Sequence, residues 1–317
     1  MITNTRLGAL ILFALIGGVI LHFLPPLPSG RPAAEFAAAA QTTPATAEAL
    51  ARYVLDESHA VQSKLPRHLD EVSGLAMTTD QRLFAHDDEK GLISELDTST
   101  GSMRSTFVTT FAGAPIAADF EGIAVLNDQI YLATSDAVIY ECPQGADGQR
   151  VACAKYETGL GSQYELEGLA SAANGRELIL VSKHPRSKAL AGLVCIDRWS
   201  TERKELVAGG RVTVPIAAFA DPIDEDTFQP SGVEIDAATG NYLVLAARPR
   251  SLAEVTPQGT VLAVVTLPKR LHRQPEGIAV GADGSLLIAD EGADGGGRLT
   301  IYPRLEKQLP LPATQGP

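Results

Sequence analysis

Short apolar runs separated by polar turns recur along the chain, and five pairs of them share one form. These are VSGLAMTTDQRLFAHDD from Val72, FEGIAVLNDQIYLATSD from Phe120, LEGLASAANGRELILVSK from Leu166, PSGVEIDAATGNYLVLAAR from Pro230 and PEGIAVGADGSLLIADE from Pro275. Each is an apolar run, a turn containing Asp, Asn or Gly, and a second apolar run, which predicts a β-hairpin repeated five times. The intervening segments supply two further strands per repeat. In the first copy LISELD and STFVTTF follow across TSTGSM, and in the fourth SLAEVT and VLAVVTL flank PQG. Four antiparallel strands per repeat predict the blade of a propeller.

The motif glycines Gly74, Gly122, Gly168, Gly232 and Gly277 count the blades. They recur at intervals of about 45 to 50 residues, apart from one of about 64, and the two ends of the chain together supply one more such length. The expected fold is therefore all-β, a five-bladed β-propeller with a six-bladed one as the alternative. Ring closure is expected from an N-terminal strand near ARYVLDE, joining the last blade as its outer strand so that no sheet edge stays open. The long interval contains AFADPIDEDTFQ, whose acidic and proline content reads as a loop, with Asp221, Asp224, Glu225 and Asp226 solvated.

The ordered set SGL, EGI, EGL, SGV and EGI, with QPSGVEIDAATGNYLVL and RQPEGIAVGADGSLLIADE near the end, resembles the SdiA-regulated (YjiK/CarP) family over about Ala51 to Pro312. That resemblance implies an exported five-bladed propeller with bound calcium and no established catalysis. It also implies acidic pairs at the second-strand ends, from which this chain departs with Arg248 in AARPR and Asp136 in TSDA.

Ahead of the repeats, Arg6 precedes an uncharged apolar stretch from Leu7 to Leu24, of about 18 residues, long enough to cross a bilayer. Prolines Pro25, Pro26 and Pro28 follow where a cleavage site would place small residues, so residues 1–24 read as an uncleaved transmembrane anchor helix, with a cleaved signal as the alternative. Arg6 on the short side places the N-terminus in the cytoplasm and the rest on the extracytoplasmic, periplasmic side. Residues 25–48, rich in Pro, Ala and Thr, form a linker, and residues 49–313 the propeller domain. A formal net charge of -12 with no Lys/Arg cluster excludes nucleic acid as a partner and favours cations. Export gives the cysteines meaning. Cys142 and Cys153 end VIYEC and open VACAKY around the turn PQGADGQR, which allows a disulfide or two reduced core cysteines. Cys195 in GLVCID reads as a buried strand residue.

In a propeller the first strand of each blade lines the central channel, so its start and the end of the second strand meet at one mouth. The residues before the motif glycines are Ser73, Glu121, Glu167, Ser231 and Glu276; the second strands end in Asp87, Asp88, Asp136, Lys183, Arg248, Asp290 and Glu291. Three carboxylates about 8 Å apart, at an effective dielectric of about 20, repel by about 2 kcal/mol per pair. Calcium, a hard cation with irregular oxygen coordination, would compensate, with Glu121, Glu167 and Glu276 as its expected ligands. Internal ion pairs to Lys183 and Arg248 are the competing solution. Catalysis on such a site would need a base, for which only His86 and His184 are candidates, and no GxSxG, HExxH or Walker loop is present. The expected function is a calcium-binding module that engages a small ligand or protein, with a metal-dependent hydrolase of phosphate esters or lactones as the alternative.

Overall fold

The computed structural model describes residues 49–292 and 295–305. The chain divides between Pro44 and Ala45, and the described residues belong to the second unit. The expected anchor and linker, residues 1–48, and the last residues of the propeller domain, 306–313, lie outside them. Among the described residues no helix is long and apolar enough to cross a membrane.

Five sheets, antiparallel but for one edge strand of the first, surround an axis. Their inner strands are Val72–Met77, Phe120–Leu126, Tyr164–Ser171, Gln229–Ile235 and Pro275–Val280. Each neighbours the next in that order, and the last packs against the first, so the ring closes at five. Each inner strand pairs with the second strand of its hairpin: Leu83–Asp87, Gln129–Thr134, Glu177–Pro185, Tyr242–Arg248 and Leu286–Asp290. Local chemistry sets the turns: Asn127 and Asp128, both at positive φ, make the two-residue connection of the second hairpin, whose backbone twist matches that of its strands. Five apolar clusters fill the wedges between successive sheets, including Leu166, Leu180 and Trp199 in one and Phe84, Phe107 and Phe120 in another.

Closure happens as expected in kind but not in place. The outer strand of the fifth blade is Val61–Lys64, antiparallel to Arg298–Tyr302. ARYVLDE is not a strand; it begins in a 3-10 turn, Leu50–Arg52, because the buried Glu254 carboxylate accepts the backbone amides of Ala49 and Leu50 at 3.0 to 3.1 Å and pins that end across the fourth blade. VACAKY is likewise not one strand. Arg150–Ala152 crosses to the first blade and runs parallel to Met103–Phe111, covering that open edge, while Ala154–Glu157 returns as the outer strand of the second blade. The disulfide Cys142–Cys153 stands where the segment changes sheets. The long interval is more than a loop. Ile216–Ala220 is a short helix, followed by the 3-10 turn Asp221–Ile223, and Phe219 stacks on Phe228 at 4.3 Å within the core between the third and fourth blades. Asp221, Asp224, Glu225 and Asp226 are exposed between those two anchors.

The motif glycines exist because the inner strands converge. A Cβ on Gly122 would lie 2.7 Å from the Leu169 Cβ and 2.8 Å from its amide nitrogen, and one on Gly232 would lie 2.8 Å from the Glu276 carbonyl oxygen. No side chain fits at that radius.

Candidate functional site

The residue before each motif glycine is the extra residue of a β-bulge. Pairing skips from Val72 to Gly74, Phe120 to Gly122, Leu166 to Leu169, Pro230 to Gly232 and Pro275 to Gly277 against consecutive or near-consecutive partners on the second strands. A bulge frees a residue from the ladder and re-aims its side chain. Ser73, Glu121, Glu167, Ser231 and Glu276 are thereby set around one mouth of the axis. Below them the channel narrows to a neck of about 10 Å³, lined by Ser73, Glu121, Ser231, Glu276 and the motif glycines. That is about the space of one water molecule.

The ring is bonded unevenly. Ser73 Oγ donates to Glu121 Oε2 at 2.9 Å, and Ser231 Oγ donates to the Pro275 carbonyl at 2.6 Å. Lys183, itself the extra residue of a second bulge in the third hairpin, donates to Glu167 Oε1. Glu167 Oε2 is buried with no hydrogen-bond partner among the described residues, as is Asp88 Oδ1. Desolvation raises the Glu121 and Glu167 carboxyls well above the ordinary carboxylate range, their mutual repulsion adding to the effect at Glu167. Burial pushes Glu276 up to about 8, against the attraction of Lys183, and Asp88 up to about 6, with Glu71 and Asp87 adding repulsion. One ammonium among three buried carboxylates leaves an excess of negative charge that protons or a cation must meet.

The other expected mouth residues divide. Glu291 stands beside the mouth, half-buried and held by the Gln274 amide. Asp87 is buried and accepts the Lys90 amide at 2.7 Å. Asp136 is exposed and ion-paired to Arg186 at 2.6 Å, and Arg248 is exposed, so neither neutralises the ring; a bulge at Ala247 turns the end of that strand. Asp290 faces away from the axis, where its Oδ2 accepts from His272 Nδ1 at 2.8 Å while the Tyr302 hydroxyl meets His272 Nε2 at 2.8 Å, all within the fifth blade. Neither candidate base serves the mouth. His86 is fully buried, donates Nδ1 to the Asp87 carbonyl at 2.8 Å and is driven down to about 4 by desolvation; His184 is exposed on the third blade.

Glu71, Asp119 and Gln274 act on the ring, through repulsion of Asp88 and Glu291, repulsion of Glu121, and hydrogen bonding to Glu291. The sequence reading missed them. Each lies two positions before a bulge residue, where the other two repeats carry Glu165 and Gln229, so the repeat alignment held the signal.

The donor set of carboxylates and hydroxyls has the chemistry of a hard-cation site. Among the described residues, however, no three His, Cys, Asp or Glu side chains converge closely enough to hold a metal ion by themselves. A cation here would draw on hydroxyl and water oxygens as well.

The family model described as SdiA-regulated matches residues 51–293. No curated protein matches the sequence. Among solved structures, a protein of unknown function from Bacteroides caccae shares 13% identity with a TM-score of 0.39, covering 69% of this chain and 64% of that one, so the chain spans just under two thirds of that relative. A glutaminyl cyclase of Myxococcus xanthus shares 15% identity with a TM-score of 0.48 over 78% of this chain and 97% of that one. A gluconolactonase of Xanthomonas campestris shares 16% with a TM-score of 0.47 over 74% and 72%. Similarities at this level carry no inference about activity.

Proposed function

Because the chain belongs to the SdiA-regulated family, and because its propeller gathers three desolvated carboxylates at one mouth, we propose that it is a membrane-tethered, extracytoplasmic module that binds calcium there. In this reading residues 7–24 span the membrane, residues 25–48 form the tether, and the propeller stands on the periplasmic side. The Cys142–Cys153 disulfide supports an oxidising compartment.

The observation that carries the reading is the charge excess at the mouth. Glu121 and Glu276, with the hydroxyls of Ser73 and Ser231, line the neck, while Lys183 is committed to Glu167. These oxygens would hold the cation, with Glu167 Oε2, which has no hydrogen-bond partner among the described residues, as a further acceptor. Bound calcium would supply a positive centre for a small anionic ligand or a protein carboxylate. Binding rather than hydrolysis is favoured because His86 is fully buried, with Nδ1 bonded to the Asp87 carbonyl and Nε2 closed in against Gly74, and His184 is exposed, so among the described residues no solvent-accessible histidine is poised over the ring.

Calorimetric titration of the full chain with calcium tests this. We expect binding that weakens about tenfold or more in Glu121→Gln and in Glu276→Gln. No heat at millimolar calcium would remove the proposal. Turnover of phosphate ester or lactone substrates, abolished by both changes, would replace it with the hydrolase reading.

A further inference from the structure

The far end of the axis holds a second site of opposite character. Beyond the neck the channel reopens into a cavity of about 370 Å³, within the range of small-molecule sites. Its inner wall is apolar: Leu75, Ile123 and Leu169, one from each of three inner strands, with Ala76, Ala124 and Ala170 beside them. Its rim is cationic. The Leu305 amide donates to the Arg52 carbonyl at 2.7 Å, so the chain segments bearing Arg52 and Arg304 are tied together. Arg52 is committed to Asp236 at 2.6 Å. Arg304 is exposed and has no ion-pair partner among the described residues. Its side chain lies over Gly284, whose carbonyl accepts the buried Tyr53 hydroxyl at 2.9 Å; a Cβ at Gly284 would meet Arg304 Cδ at 2.7 Å. One backbone hydrogen bond and the bare Cα of Gly284 therefore place at the cavity edge a guanidinium that has no ion-pair partner among the described residues. The remaining acid on the wall, Glu234, accepts the Ile235 amide at 2.7 Å, and burial raises its carboxyl to about 7, so it is a weak source of negative charge near neutrality.

We propose that this cavity binds a small organic anion, a carboxylate on an apolar body, with the carboxylate at Arg304 and the body against Leu75, Ile123 and Leu169. A planar guanidinium takes a carboxylate in bidentate fashion, and the apolar wall rewards a hydrocarbon or aromatic body rather than a bare inorganic ion. The neck keeps this site separate from the acidic mouth, so the two bind independently.

The test is ligand-observed NMR on the full chain with 3-phenylpropionate as probe, set against 3-phenylpropylamine and 3-phenylpropanol. The acid should bind, and the amine should not. Arg304→Glu should weaken the acid about tenfold or more, and Arg304→Lys, which keeps the charge but loses the bidentate fork, should weaken it less than Arg304→Glu does. Because Arg304 is exposed, an unchanged melting temperature in both variants separates loss of binding from loss of fold. Glu121→Gln at the other mouth should leave the acid's affinity as it was. Equal binding of acid and amine, indifference to Arg304→Glu, or loss of binding in Glu121→Gln would each overturn the proposal.

Discussion

Lys183 reaches Glu167 because both stand in bulges of the same hairpin: pairing shifts between Glu165 and Leu166 and again between Leu166 and Leu169. Without those two extra residues the ammonium and the carboxylate would fall on ladder positions fixed by the pleat. The bond satisfies one oxygen of Glu167 and leaves the other buried with no partner among the described residues.

Removing Lys183 should expose what it compensates. Lys183→Met leaves Glu167 buried and uncompensated and should cost about 3 kcal/mol in the chelated protein, whereas the pair Lys183→Met with Glu167→Gln should recover most of it. Denaturant unfolding of the four proteins of that cycle measures the coupling. Equal stability of the single and double variants would show that the pair is decorative.

The ring makes stability depend on pH in a definite sense. Glu276 titrates near 8 in the folded chain against an ordinary 4.5, so the folded state holds more protons than the unfolded one between those values. Its contribution is therefore greatest below about pH 4.5 and declines as pH rises towards 8. Raised carboxyls at Glu121 and Glu167 act in the same direction. Thermal melting of the chelated protein should show this decline, Glu276→Gln should flatten it, and saturating calcium should offset it by supplying the missing charge.

Gly122 and Gly148 separate two reasons for glycine. Gly122→Ala pushes a methyl into Leu169 of the adjacent inner strand and should cost about 3 kcal/mol. Gly148, in an open turn at φ 71, meets nothing, so Gly148→Ala should cost only about 1 kcal/mol, from backbone conformation alone. Similar losses at both sites would mean that the strands do not meet at the axis as described.

The three cysteines give a count that can be titrated. Cys142 and Cys153 are bonded and Cys195 is buried, so alkylation should modify no thiol in the native protein, one after denaturation and three after reduction as well. Replacing Cys142 and Cys153 together by serine should lower stability by about 2 to 3 kcal/mol.

Blade number and the ring of Ser73, Glu121, Glu167, Ser231 and Glu276 were legible because a repeat writes the same local requirement five times. A bulge residue followed by glycine is demanded wherever an inner strand nears the axis, and alignment of the copies reveals it. Charge pairing was not legible. Nothing in AARPR or LVSK by itself shows an exposed Arg248 and a Lys183 turned onto Glu167, because the two hairpins bulge at the same place, at Lys183 and at Ala247, and Arg248 falls one residue beyond that bulge, a register that only the strand pairing shows.

By itself, then, the sequence determined the β-hairpin period, the five-fold count and the five residues that precede the motif glycines at one mouth, since these follow from local pattern and chain length. Only the tertiary structure decided which cation faces which carboxylate, that Val61–Lys64 rather than ARYVLDE closes the ring, and that Arg150–Ala152 covers a neighbouring blade's edge. It also decided that Arg52 and Arg304, some 250 residues apart in sequence, share the rim of one cavity. Those outcomes depend on closing a ring, a condition that no single segment carries and that is met only when all five sheets pack at once.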